Sequence, residues 1–459
     1  MTSPLIRLLS PIVLGGVLLA QGRESDAGLV ALHQARLDAT TDAVVLNVAA
    51  HPDDEASRTR LMLRRKYGAR VVTVYATYGD GGQNAIGREI GPELAYIRVR
   101  ETLRAAAMSD VEVRWLGFPD FGFSKTLEET LSVWGEDRLR AAMRGVIAEV
   151  DPDIIVTNHH IERGHGHHRA CAWAIQQVLD ERQAAGQRGI PMFGRCGPED
   201  AWVTVDPGEL DPVRGRTWAR LAHDAWVQHE SQGPWGPHDP MHVSKEWWEL
   251  VHPKDVAKRA YSGWEEVLRD HIDAESEYVR PLPIEQLRRQ SLAWLERSQQ
   301  AGRSADGDRM IDKLQRLALA AHDVSIETWL DGDIVPVGGE GRVDVVVHGH
   351  ERMTDLGVVC DGVAATLVNA PVRTRVFELP PPPVDPAAKP KPMAGRFTVP
   401  FSPRAGENGE APPGPEPSNV TVEIAFRIEG VPFRVLRTMA YTTVDPIVVR
   451  LDRDVMMVP

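Results

Sequence analysis

Between residues 43 and 182, short apolar runs alternate with amphipathic stretches, and this alternation restricts the fold more than any other feature of the chain. The runs at 43–50, Arg70 to Thr77, Val111 to Leu116 and Asp153 to Thr157 read as buried strands. Between them, Ser57 to Tyr67 is closed by Gly68, Glu93 to Met108 has helical periodicity, and Leu139, Met143, Val146, Ile147 and Val150 share one helical face. Strands separated by helices of this length require right-handed crossovers. They predict an α/β fold with a Rossmann-like parallel sheet and helices on both faces.

The 459 residues suffice for about two or three domains. The middle, 183–325, predicts helices at Trp218 to Gln228, Val256 to Leu268, Ile284 to Gln300 and Asp308 to His322. Gln232 to Pro253 is dense in proline and aromatic residues and reads as an irregular wall. Its Trp235, Trp247 and Trp248 either stack on sugar rings or cover the edge of the core. From Val324 the pattern shifts to short alternating runs (Glu340 to His348, Ala364 to Val368, Asn419 to Ile428, Pro432 to Thr438), which predict a C-terminal β-sandwich. The expected organisation is a signal peptide at 1–20, an α/β domain with a helical extension at 21–325, and a β-sandwich at 326–459 with a proline-rich loop at about 380–418.

The signal peptide is read from Arg7 followed by the apolar run Leu8 to Ala20, with an abrupt polar turn at Gln21. This layout predicts export, to the periplasm or outside the cell, with cleavage near Ala20; an uncleaved anchor is the alternative. The net charge of −13 argues against a nucleic-acid partner, which needs a basic surface. Cys171, Cys196 and Cys360 are too scattered for a disulfide framework, though one bridge remains open, and none has the paired spacing of a zinc-thiolate site.

Two clusters carry chemistry. Ala50-His51-Pro52-Asp53-Asp54-Glu55 leaves the C-terminal end of the first strand, the edge where α/β sheets collect ligands. The second, Asn158 to Arg169, follows the strand at 153–157 and holds His159, His160, His165, His167 and His168. Imidazoles and carboxylates converging from two strand ends offer nitrogen and oxygen donors to a divalent ion, with a second carboxylate free to face substrate.

With these motifs the chain resembles the PIG-L/LmbE-like zinc-dependent N-deacetylases, which remove acetyl groups from N-acetylglucosamine-containing molecules. The resemblance rests on the two clusters and on Thr77-Tyr78-Gly79-Asp80-Gly81-Gly82, Arg98 with Glu101, and Leu116-Gly117-Phe118-Pro119-Asp120, and spans about 43 to 240. It implies that His51, Asp54 and His168 hold one Zn2+ per chain, that Asp53 is the general base, and that His165 is an acid or electrostatic stabiliser. Arg98 and Asp80 would lie near an acetylated amino-sugar or glycoconjugate substrate, and Asp120 is read as a turn residue. The donor set also suits iron or cobalt. Many relatives have His-Pro-Asp-His where this chain has His165-Gly166-His167-His168, so His167 replaces an aspartate. Arg163 stands where some relatives carry an aromatic oxyanion stabiliser. Two other readings remain: a zinc amidase acting on a larger acyl group, and a non-catalytic carbohydrate-binding protein.

Overall fold

The computed structural model describes residues 28–444 except 240–242, 255, 274, 302–303, 333, 350–351, 361, 368–392 and 404–413. The expected signal peptide lies outside the described residues, as do 380–392 and 404–413 of the expected proline-rich loop; between them 393–401 is a strand and not loop.

The first half contains α1 (Gly28–Ala39), β1 (Val44–Ala49), α2 (Ser57–Arg65), β2 (Arg70–Tyr75), α3 (Pro92–Ser109) and β3 (Glu112–Trp115). It continues through α4 (Leu127–Trp134), α5 (Glu136–Val150), β4 (Ile154–Thr157), α6 (Gly166–Ala184), β5 (Met192–Arg195) and β6 (Val203–Val205). A small hairpin, β7 (Leu210–Asp211) and β8 (Arg216–Thr217), leads to α7 (Trp218–Trp226), β9 (Glu246–His252) and α8 (Trp264–Val267). The main sheet has the order β3-β2-β1-β4-β5-β9-β6. Strands β3 to β5 in that order are parallel to their neighbours, whereas β9 runs antiparallel to both β5 and β6.

Every residue of β1 is buried. Val45 and Ala49 face a core with α2 and α7, while Leu46 and Val48 face one with α5 and α6. Helices thus cover both faces, as the continuous apolar strand requires. The strand order reverses between β1 and β4, and the loops leaving these two strands diverge into a crevice at that switch point. Both histidine-bearing clusters leave there.

Two stretches differ from the sequence reading. Gln232 to Pro253 contains β9, and Trp248 is fully buried between sheet and Trp264, so it packs the core and offers no face to a sugar. Val256 to Leu268 forms only the single turn α8, because its apolar residues do not recur often enough to bury a longer helix face.

Helices α9 (Ile284–Gln300) and α10 (Ala305–Ala321) precede β10 (Ser325–Leu330), β11 (Ile334–Pro336), β12 (Gly341–His348), β13 (Met353–Cys360) and β14 (Val363–Ala364). The last strands are β15 (Thr366–Leu367), β16 (Met393–Phe401), β17 (Ser418–Ile428) and β18 (Val431–Val444). They form sheets β10-β12-β16-β15 and β11-β18-β17-β13-β14, curled around one apolar core. That core also takes in Leu295 of α9, Leu317 of α10 and Ala35 of α1. The two long helices therefore pack with the C-terminal strands, although they precede the boundary expected at 325. Cys171, Cys196 and Cys360 form no disulfide with one another.

Candidate metal centre

The turn after β1 is shaped by buried polar groups. Asn47, central in β1, donates to Val156 O of β4 at 3.1 Å and accepts from Ala56 N–H at 3.3 Å, tying the far end of the turn back to the sheet. Glu55 is buried with Arg60, whose guanidinium lies 2.9 Å away, and accepts from Tyr75 Oη at 3.0 Å. Its carboxylate also accepts from the Asp53 N–H and from Ser57 Oγ, each at 3.0 Å, and lies 3.4 Å from His229 Nε2. The second loop ends on the first turn of α6, where His165 is the N-cap and His167 and His168 follow. Glycine is required at 166: a Cβ there would collide with Ser124 and Thr130, which the helix start packs against.

The two loops meet. His51 Nδ1 is 2.7 Å from Asp54 Oδ2, and the same oxygen is 3.0 Å from His168 Nε2. The opposite nitrogen of His51, Nε2, lies 2.9 Å from His167 Nδ1 and 4.0 Å from Asp120 Oδ2. His165 lies beside His168, the rings tilted by 44° with centroids 3.9 Å apart. His159 is buried behind them, stacked 4.1 Å from His168 and accepting the Ala50 N–H at 2.8 Å. Three groupings bring donor atoms within 4.8 Å of one another: His51, His165 and His168; His51, Asp120 and His167; Asp54, His159 and His168. Asp53 is in none of these groupings among the described residues.

These residues fit a divalent ion. The donors are imidazole nitrogens and a carboxylate, the set zinc takes. His165 Nδ1 and His167 Nε2 are buried without a hydrogen-bond partner among the described residues, so the cluster has unused donor capacity. Two of its imidazoles are held in the neutral form, whereas at His51 burial is outweighed by the Asp54 hydrogen bond and charge, which raise the ring. Burial, then His168 and His51, push His165 down to about 4, and burial with His51 and His165 pushes His167 down to about 3. The positive end of the α6 dipole acts in the same direction.

The adjacent aspartates are driven apart. Burial alone would raise Asp54, but hydrogen bonds from His168 and His51 outweigh it and hold the carboxyl well below its ordinary range. Burial raises Asp53, the negative charges of Asp54 and Glu55 add to the rise, and it reaches about 8. Neighbouring carboxyls with opposite shifts are what a site needs when one must stay charged and the other must exchange a proton.

Around this edge stand the other residues considered in the sequence, in different roles. Arg98 is 2% exposed and donates to Gly79 O and to Gln83 O, the latter at 2.7 Å, so it braces the Gly79–Gln83 loop from below. A side chain at Gly79 would run into that guanidinium. Asp80 is half-buried in the same loop, its carboxyl raised by burial and by Asp120. Asp120 holds a turn, accepting from Gly122 N–H at 2.9 Å, and also faces His51 and His167, a second contact that sequence reasoning missed. Arg163 points away, 3.3 Å from Glu249. Sequence reasoning also missed Trp226, the last residue of α7, and His229 and Gln232 just after it, which reach the turn. No local motif marks them.

Residues 46–179 match the sequence model of the PIG-L family, GlcNAc-PI de-N-acetylase. The probable N-acetyl-alpha-D-glucosaminyl L-malate deacetylase 2 of Bacillus subtilis (strain 168) is 31% identical over 143 residues, which cover 29% of this chain. The match spans 60% of that relative's length. Among solved structures, the N,N'-diacetylchitobiose deacetylase from Pyrococcus horikoshii is 19% identical with a TM-score of 0.32, covering 42% of this chain and 72% of its own. GalB, the 4-carboxy-2-hydroxymuconate hydratase from Pseudomonas putida KT2440, is 15% identical with a TM-score of 0.34, covering 48% and 99%. Neither structural likeness bears on the reaction.

Proposed function

From a domain that matches the PIG-L family at residues 46–179, we propose that this chain is a metal-dependent hydrolase that removes the acetyl group from an N-acetylglucosamine-type sugar or glycoconjugate. The observation that carries the reading is the division of labour between neighbours. Asp54 Oδ2 is shared by His51 and His168, whereas Asp53, one residue earlier, is left outside the donor groupings. His51, Asp54 and His168 would hold the ion, zinc by the chemistry of the donors. An ion so held supplies a nucleophilic water near neutral pH and positive charge opposite the developing oxyanion.

Asp53 takes the proton of the attacking water and returns it to the leaving amine. Its upward shift to about 8 suits a group that must carry a proton in both directions near neutral pH. His165, held neutral beside His168, donates a ring N–H towards the acetyl oxygen. His167 and Asp120 steady the far nitrogen of His51, as outer contacts do for metal-bound imidazoles. Asp80 lines the approach for sugar hydroxyls, and Arg98 supports its loop. The N-terminal apolar run supports export, and an exported enzyme would meet glycans and cell-wall fragments as its acetylated amino sugars.

The test is acetate release from a panel of N-acetylated amino sugars, run beside metal analysis of the purified protein. Acetate and free amine in equal amounts, abolished by chelation and restored by a divalent ion, are expected. Release of a larger acid would favour the amidase reading, and metal binding with no release from any amide would favour a binding protein.

A further inference from the structure

Residues 226–235 lie outside the segment that matches the family, yet they hold the turn that presents Asp53. Asp53 has φ of 88°, a left-handed conformation that a residue with a side chain keeps only when its surroundings over-determine it. Both of its main-chain polar groups are taken: Glu55 accepts its N–H at 3.0 Å, and Trp226 Nε1–H donates to its carbonyl at 3.2 Å. Gln232 donates to the carbonyl of Pro52, the residue before, and hydrogen-bonds the Asp53 carboxylate itself. His229 stands 3.4 Å from Glu55.

This strap is anchored independently of the turn. Ser231 donates to Glu101 through its N–H at 2.8 Å and its Oγ at 2.6 Å. Trp235 Nε1–H donates to His229 O at 2.8 Å, and the rings of Trp226 and Trp235 are 3.9 Å apart. Gln232 is 7% exposed, so water does not replace its contacts. Neither Trp226 nor Gln232 reaches His51, Asp54 or His168 by any hydrogen bond among the described residues.

We propose that Trp226 and Gln232 are positioning residues for proton transfer: they fix the direction of the Asp53 carboxylate without contributing to metal binding. The inference rests on the reading of Asp53 as the base. A displaced base costs turnover while leaving substrate affinity and the ion in place, because reaction requires close alignment and binding does not.

Gln232→Leu keeps the volume and removes the donor, and Trp226→Phe keeps the ring stacking and removes the N–H. Each is expected to lower kcat for acetate release by about 10- to 100-fold, with KM and bound metal per chain unchanged. Amide hydrogen exchange over residues 50–56 is expected to quicken in both variants. Unchanged kcat in both, or a kcat loss matched by loss of metal, would overturn the assignment. Should the parent protein release no acetate, the deacetylase reading fails by itself. The exchange measurement then still decides whether the strap holds the turn, and unchanged exchange in both variants would refute it.

Discussion

The crevice edge at residues 50–56 and 158–168 and the C-terminal core enclosed by β12, β16, β17 and β18 are opposites in kind. The C-terminal core is built of apolar side chains such as Val343, Val345, Val347, Val399, Val422, Ile424 and Phe433. Each such side chain contributes about 1.5–3 kcal/mol by leaving water. The crevice instead crowds Asp53, Asp54, Glu55, Asp120 and five imidazoles against one another, an arrangement that costs free energy unless each group finds a partner. The difference teaches where function sits. A costly cluster of like-charged carboxyls and neutral imidazoles is the kind a fold keeps where its groups do chemistry, secured by stability gained elsewhere.

Mutations at the two regions should therefore have opposite signatures. The largest effect belongs to His168→Ala. It should strip the ion and bring acetate release to background, a loss exceeding the ~10–100-fold in metal affinity typical of losing a mere supporting contact. Metal analysis after desalting checks this, and full occupancy in that variant would remove His168 from the ligand set. Asp53→Asn comes next, with kcat lowered by about 10²- to 10⁴-fold at normal metal content. Unchanged turnover would end its role as base.

A third comparison reads the electrostatic cost directly. In metal-free protein Asp53 titrates near 8 because of burial and its acidic neighbours, well above its ordinary value of about 3.9 in an unfolded chain. A raised carboxyl stabilises the fold most below the unfolded value, and that contribution is lost as pH rises through the folded one. Asp53→Asn, which carries no charge, should thus gain in melting temperature over the parent between pH 4 and 8 and keep a constant lead above it (about those limits, from the same two pKa values). A lead that shrinks with rising pH would contradict the assigned shift. The smallest effect is Ile424→Val in the C-terminal core. It should cost about 0.5–1.5 kcal/mol in denaturant unfolding and leave acetate release per folded molecule untouched.

The sheet was legible because its strands are buried on both faces. Runs such as Val44 to Ala49 leave no helical alternative, and the helices between them carry clear apolar faces. The two donor clusters were legible because each is contiguous and follows a strand. What the sequence hid depends on contacts between distant segments. Asp120 looks like a turn residue and is one, but the crevice also places it beside His51. Trp226 and Gln232 lie more than a hundred residues from the turn they hold, with no spacing that betrays them. Strand β9 was obscured by its own tryptophans and by the prolines that flank it, since its pairing with β5 and β6 is set by the sheet edge it completes.

The central claim is that one ion sits between the two loops with Asp53 left free beside it. An anomalous-scattering map of crystals grown with zinc reads this directly. The account predicts a single peak within bonding distance of His51, Asp54 and His168 and no bond to Asp53. A peak held instead by His51, Asp120 and His167, or one with Asp53 as a ligand, would contradict it.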